Sequence, residues 1–187
     1  VDYRLHFVNL GAGEQRSPEI RALNVNQRMP VLADGDYVLW ESNAIIEYLA
    51  SKAPAAELMP QGTPERLQVA KWLYWEAAHW DAAIVPYMFE NLVKPLFGLG
   101  ETDEAALAKA APALERAALV LDAVLAEQPY VAGDHLTLAD LALSAPLCHA
   151  EPARLPLGDY KSIQRWIGEI RALPAWQKAS AYQQTPG

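Results

Sequence analysis

The hydrophobic pattern of this chain changes period once, and a stretch bearing two prolines and a glycine marks the change. Before residue 53 the pattern switches every few residues. Tyr3, Leu5, Phe7 and Asn9 alternate with Arg4, His6, Val8 and Leu10, which predicts a strand that ends at Gly11-Ala12-Gly13. Ser17-Pro18-Glu19 predicts a helix start with proline at the first helical position, running to about Leu23. Pro30-Val31-Leu32 and Tyr37-Val38-Leu39-Trp40 read as two strands, and Asp34-Gly35-Asp36 between them as a hairpin turn. Ser42 reads as the cap of a helix carrying Ile45, Ile46, Tyr48 and Leu49. From Pro64 onward the pattern is helical throughout. A chain that mixes strands with helices and then turns purely helical divides into two domains. The expected boundaries are a first domain over 1–53, a linker over 54–63 and an all-helical domain over 64–187.

The helical half resolves into several segments. The first runs from Pro64, with Thr63 as N-cap, to about Lys94. Pro86 has no N–H to donate, so a kink or break is expected near Val85. Further helices are expected over roughly 103–127, from Thr137, and over 163–172, with a short last turn around Trp176. In Leu136-Thr-Leu-Ala-Asp-Leu141, Thr137 stands at the N-cap and Asp140 at N3. Each can satisfy an orphan N–H of the first turn, with Leu136 and Leu141 as a hydrophobic staple. That is a structural signal, and Asp140 is not a catalytic acid.

Composition excludes several function classes. Of 187 residues, 52% are hydrophobic and 20% charged, too apolar for a disordered protein. The formal net charge of -8 argues against sequence-independent binding of nucleic acid. Seven acids and five bases fall within 1–53, leaving sixteen and ten beyond, so the first domain repels a small anion least. One cysteine, Cys148, excludes an internal disulfide and a CxxC metal site, and it reads as a small buried hydrophobe. The four histidines show no ligand spacing, so no metal is expected. No apolar run reaches the roughly 18 residues that span a bilayer. No signal-peptide pattern opens the chain, and the expected compartment is the cytoplasm. The chain begins at Val1, not Met, directly in an alternating segment, which raises the expectation of a segment upstream.

Three stretches resemble the glutathione-binding half of glutathione S-transferases: Gly13-Glu-Gln-Arg-Ser-Pro-Glu19, Leu23-Asn-Val-Asn-Gln-Arg-Met-Pro-Val-Leu-Ala-Asp-Gly35 and Leu39-Trp-Glu-Ser-Asn-Ala-Ile-Ile-Glu-Tyr-Leu49. Ala132-Gly-Asp-His-Leu-Thr-Leu-Ala-Asp140 is similar to the capping segment of that family's second domain. Tyr160 to Ala175, with Trp166 and Leu173-Pro174, is similar to its penultimate helix. The likeness covers nearly the whole chain in the family's element order, in the style of bacterial and phi-like members. It implies an α/β domain of thioredoxin-like fold, lacking its first strand and helix here, followed by an all-α bundle. It further implies a glutathione transferase with glutathione as co-substrate, a small, largely apolar electrophile, and a homodimer.

The same resemblance distributes the binding roles. It implies a cis Met29–Pro30 bond, whose preceding residue pairs with the ligand's cysteinyl backbone as an added strand would. It assigns Ser42 and its N–H to the γ-glutamyl carboxylate and Glu41 to the γ-glutamyl amino group. Gln15, Arg16 and Arg28 stand where the family contacts the glycyl carboxylate and the peptide backbone. The family's thiol-activating group lies ahead of the segment at residues 3–10, so no residue here receives that role. A non-catalytic binding module, or a glutathione-dependent isomerase, dehalogenase or lyase, are the alternatives on the same scaffold. The six tryptophans at helical spacing read first as core and packing residues. Trp75, Trp80, His79 and Tyr87 are the candidates to line an apolar substrate pocket, with Tyr74 and Met88 behind them.

Overall fold

The computed structural model describes residues 1–183, so the last four positions of the expected helical domain lie outside the described residues. The chain forms two compact units, one spanning Val1–Met59 and one beginning at Pro60.

The first unit is built around a hairpin. Strand β1 (Val31–Asp34) pairs antiparallel with β2 (Tyr37–Trp40), Val31 opposite Trp40 and Asp34 opposite Tyr37. The two-residue turn between them has Gly35 at φ 60°, the positive angle that tight hairpin turns demand. Helix α1 (Pro18–Leu23) starts as its sequence predicts. Ser17 Oγ accepts from the Ile20 N–H at 3.3 Å, and Pro18 occupies the first helical position. Helix α2 (Ser42–Lys52) packs against the hairpin. The Tyr48 hydroxyl donates to Asp34 Oδ2 at 2.6 Å, and Lys52 pairs with the same oxygen at 3.2 Å. Both interactions hold the Asp34 carboxyl below its ordinary value, the Tyr48 hydrogen bond most strongly.

Two expectations for this unit need correction. Residues 3–10 do not form a strand. Alternation supplies a face, but a strand also needs a neighbour to close its ladder, and the sheet here has two strands, β1 and β2. Tyr3, Leu5 and Phe7 are exposed as a result. Ser42 is not the cap of α2 but its first residue. Glu41 holds the cap position, at φ 74°, and its side chain makes no capping hydrogen bond.

The second unit is helical. Its first stretch passes without a break through α3 (Thr63–Trp75), a wide π-type turn (Glu76–Trp80), α4 (Asp81–Met88), a second π-type turn (Phe89–Val93) and α5 (Lys94–Phe97). Of the kink or break expected near Val85, no break occurs, and Pro86 sits inside α4. The departures from α geometry fall on either side of the proline, where a widened turn can absorb a missing backbone bond. Gly62, not Thr63, holds the cap position of α3. Helices α6 (Glu104–Glu127), α7 (Leu138–Ser144), α8 (Lys161–Arg171) and α9 (Pro174–Gln183) follow. The last is a full helix where a short turn was expected.

Helix α6 is the axis of this unit, packing against α4 and α8, while α3 packs on α7. Leu114, Leu121 and Leu125 of α6 are fully buried, with Ile84 of α4 and Ile163, Trp166 and Ile170 of α8. Two polar side chains of distant sequence fix the helix ends. Asp122 Oδ1 accepts from the N–H groups of Ser162 and Ile163 at 2.9 and 3.0 Å, capping α8 from outside. Arg165 donates to the carbonyls of Leu125 and Gln128 at 2.8 and 3.2 Å, closing the end of α6. Asp140, in the first turn of α7, is wholly buried. Its Oδ2 accepts from the Thr137 N–H and hydroxyl at 2.9 and 3.0 Å, the expected capping pair. Its Oδ1 accepts from the Val131 N–H at 2.9 Å and from Trp166 Nε1 at 3.0 Å. Cys148 is half-buried in the 3-10 turn Ala145–His149, less enclosed than expected, because that turn lies at the margin of the core.

Candidate functional site

The polar candidates all lie in the first unit, on the segments that lead into and out of the hairpin. Gln15 and Arg16 sit in a short 3-10 turn, Glu14–Arg16, just before α1. Gln15 is half-buried, and its Oε1 is a buried acceptor without a hydrogen-bond partner among the described residues. Such an atom is costly unless something donates to it. Arg16 and Arg28 are exposed, and neither guanidinium has an ion pair or hydrogen bond among the described residues.

The path from α1 to β1 is held from within. Asn24 is 2% exposed, and its amide donates to the Arg28 carbonyl at 2.8 Å while its Oδ1 accepts from the Asn26 N–H at 2.9 Å. One side chain therefore folds the loop that delivers Arg28 and Met29 to the hairpin. Gln27 in that loop has φ 55°. The Met29–Pro30 bond is cis, as the resemblance implies. Sequence reading passed over Asn24, although asparagine in a turn that bonds its own backbone two residues on is a known local signal.

At the other end of the hairpin Glu41 is exposed, with φ 74° and ψ 117°. A non-glycine residue there costs about 1–3 kcal/mol and persists where surrounding structure imposes it, a pattern concentrated at functional sites. Its carbonyl accepts from the Ile45 N–H at 3.0 Å, opening α2. Ser42 follows as an exposed first helical residue. Amide groups at the start of an 11-residue helix carry partial positive charge.

The apolar candidates lie in the second unit, and they separate. Trp75 and His79 line a groove of about 320 Å³ with Arg116, Val120 and a floor of alanines from α4 and α6. Trp75 stacks on Trp80 at 6.1 Å and meets Trp72 edge-on at 5.2 Å. Trp80 and Tyr87 are core residues, at 0% and 5% exposure. Trp80 Nε1 donates to the Leu143 carbonyl at 2.9 Å, a buried bond that uses its only polar atom. Tyr74 lies on the outside, at 76% exposure. A second apolar surface was not anticipated. Phe89, Leu96, Phe97 and Leu99, at the end of the long helical stretch, are all exposed. Exposed large apolar side chains that recur along one short segment make it a candidate binding surface. Among the described residues no group of acidic, histidine and cysteine side chains could hold a metal ion. No described helix is long and apolar enough to cross a membrane.

Comparison with known proteins agrees across the whole chain. The family model for the glutathione S-transferase N-terminal domain matches residues 1–51, and the one for the C-terminal domain matches 76–174. Glutathione S-transferase 3 of Zea mays is 37% identical over 186 residues, covering 97% of this chain and 83% of that protein. Among solved structures, glutathione transferase F7 from Populus trichocarpa superposes with a TM-score of 0.90 at 28% identity, covering all of this chain and 89% of that one. Glutathione S-transferase I from maize, in complex with an atrazine glutathione conjugate, gives 0.88 at 32% identity, covering 100% and 88%. Matches of this extent to both family domains, in the same order and on the same fold, mean that the chain belongs to the glutathione S-transferase family.

Proposed function

We propose that this protein conjugates glutathione to small, largely apolar electrophiles. The observation that carries the reading is a pair of guanidiniums without a partner among the described residues, Arg16 in the turn before α1 and Arg28 beside the cis Met29–Pro30 bond. Arg28 and Arg16 take the glycyl carboxylate and peptide backbone, where a charge-assisted bond is about twice as strong as a neutral one. Gln15, whose buried oxygen lacks a donor, takes a peptide N–H or turns its NH2 to the carboxylate. Met29 offers its backbone to the cysteinyl unit as an edge strand would. Ser42 and the start of α2 take the γ-glutamyl carboxylate, and Glu41 takes the γ-amino group. In this division of labour residues 1–53 bind glutathione, 54–63 link, and 64–187 form the helical domain.

The reaction is nucleophilic attack by sulfur. The glutathione thiol loses its proton, the thiolate forms a C–S bond to the electrophilic carbon, and a leaving group departs with the electron pair of its broken bond. A free thiol has a pKa near 8.5, so each unit of depression requires about 1.4 kcal/mol of preferential thiolate stabilisation. For the electrophile, two surfaces of the helical unit compete: the Trp75–His79 groove and the Phe89–Leu96–Phe97 patch. The patch is the better apolar contact, because its side chains are large and wholly apolar whereas the groove carries the Arg116 guanidinium and the His79 imidazole. We further propose a cytoplasmic homodimer.

Retention on immobilised glutathione, followed by a conjugation assay with a panel of electrophiles on the full-length protein, tests the reading. Retention with conjugation supports it. Retention without conjugation favours a binding module, and retention with isomerase, dehalogenase or lyase turnover favours that class. Failure to bind glutathione would sink it.

A further inference from the structure

We propose that Glu90 is a positioning residue for the electrophile surface: its carboxylate, bridging the Lys94 ammonium and the Asp103 amide, sets the wide turn that presents Phe89. The inference rests on the transferase reading and on the patch at the end of the long helical stretch.

The geometry is specific. In the π-type turn Phe89–Val93 one exposed apolar side chain is followed directly by two inward polar ones, Glu90 and Asn91. Phe89 is 41% exposed, while the next residue, Glu90, is buried at 6%. Glu90 Oε2 meets Lys94 Nζ at 2.6 Å and accepts from the Asp103 N–H at 2.7 Å, at the cap of α6. The same turn is gripped from two other directions. Thr102 Oγ1 donates to the Glu90 carbonyl at 3.3 Å or to Asn91 Oδ1 at 3.2 Å. Asn91 Nδ2 donates to the Ala153 carbonyl at 2.8 Å, and Arg154 reaches Asn91 Oδ1 at 3.3 Å and Glu104 at 3.0 Å. Lys94 Nζ also lies 5.9 Å from the centre of the Phe89 ring. One ammonium therefore pairs with the buried carboxylate and lies within cation–π range of the exposed aromatic side chain.

A buried ion pair is a poor device for stability, since apolar residues of like volume often do as well. It is a good device for holding one geometry, because each charge forbids rearrangements that strand the other. A π-type turn, the rarest of the helical turns, is favoured at functional sites for the side chain it re-aims. Here the re-aimed side chain is Phe89, and the parts that fix its turn converge on Glu90 and Asn91.

The test compares wild type with Glu90→Gln in conjugation of two electrophiles, 1-chloro-2,4-dinitrobenzene and a short aliphatic epoxide. The expected result is a rise of about fivefold in KM for the aromatic electrophile, as expected for a misplaced contact, with KM for glutathione within about twofold. The ratio of kcat/KM between the two electrophiles shifts by a similar factor, which a general loss of structure would not produce. Lys94→Met should shift the ratio in the same direction, and the double variant no further than either single one. Thr102→Val loosens the same turn more gently, and should give a smaller shift of the same sign even if Glu90→Gln does not fold. Folded variants with an unchanged electrophile ratio, or with parallel changes for both electrophiles, overturn the proposal. A wild type that conjugates neither electrophile overturns instead the transferase reading, and this inference with it.

Discussion

Asp140→Ala should be among the most destabilising single substitutions in the helical unit, and the structure says by roughly how much. The carboxylate is wholly buried and accepts four hydrogen bonds, from the Thr137 N–H and hydroxyl, the Val131 N–H and the Trp166 indole. Thr137, Val131 and Trp166 are each at most 1% exposed, so water cannot take the place of the lost acceptor without rearrangement. Hydrogen bonds to a charged group contribute about 1.5–3 kcal/mol each, so four would sum to about 6–12 kcal/mol, comparable to a domain's whole stability. The sum overshoots because burying a carboxylate itself costs several kcal/mol and that cost vanishes in the variant. Breaking a buried charged network by removing one partner typically costs about 3–5 kcal/mol, and that is the expected loss here. Two single-donor variants calibrate it. Thr137→Ala should lose about 1 kcal/mol, the ordinary value of a helix cap. Trp166→Phe should lose about 1–2 kcal/mol, one hydrogen bond plus a small cavity. Urea unfolding followed by tryptophan fluorescence measures all three, since five of the six tryptophans lie beyond residue 60 and report the helical unit. With an m-value of about 2 kcal/mol/M, the Asp140→Ala midpoint should fall by about 1.5–2.5 M. A fall no larger than that of Thr137→Ala would refute the reasoning, because it would mean that Asp140 acts only as a cap.

Three further outcomes are expected. Arg28→Ala and Arg16→Ala should each raise KM for glutathione by about tenfold, corresponding to one lost charge-assisted bond, with little change in melting temperature; steady-state kinetics and thermal unfolding check both. Glu90 is held below the ordinary carboxylate range, first by its Lys94 hydrogen bond and then by the Asp103 N–H, against the opposing effect of burial. Its contribution to stability is therefore complete above the unfolded carboxylate value and fades as pH falls through the folded one. Melting temperatures of wild type and Glu90→Gln should accordingly converge as pH drops from about 5 to 3. Asn24→Ala removes the clamp on the Arg28 carbonyl and should cost about 1–3 kcal/mol while also raising KM for glutathione, readable by denaturant titration and kinetics on one preparation.

What the sequence makes legible is chemistry that closes within a few residues. Ser17-Pro18 announces a helix start, Asp34-Gly35 a tight turn, and Thr137 with Asp140 a capping pair, because each motif satisfies its own nearest backbone groups. The strand expected at residues 3–10 failed for the converse reason. Alternation is a property of the segment, whereas strand pairing is a relation to another segment. The aromatic candidates separate for a third reason. Trp72, Trp75, His79 and Trp80 crowd successive turns, so no single face of the helix stands out as apolar, and the widened turn at Glu76–Trp80 shifts the register that a 3.6-residue period would assign. Trp80 consequently points into the core and Trp75 toward a groove, a distinction that periodicity does not carry.

The candidate site follows the same division. Gln15, Arg16, Arg28, Glu41 and Ser42 were found through family motifs, and what those motifs preserve is backbone shape: a cis bond at Met29–Pro30 and a positive φ at Glu41. In the helical unit, contacts between remote positions are what the sequence does not show. Glu90 reaches Asp103 across 13 positions, Asp122 reaches Ser162 across 40, and Asp140 reaches Trp166 across 26. In sequence Glu90 and Asp122 are each one more acid on a chain of net charge -8, and only folding distinguishes them from solvated ones, while the Thr137 motif marks Asp140 as a cap but not as a partner of Trp166. This has a consequence for variants. Surface acids outside such contacts should tolerate neutralisation to within about 0.5 kcal/mol, while the enclosed acid Asp140 should not. The acidity that sequence reading used against a nucleic-acid partner is thus chemically heterogeneous: part of it sets solubility, and part of it holds helix ends and one wide turn in place.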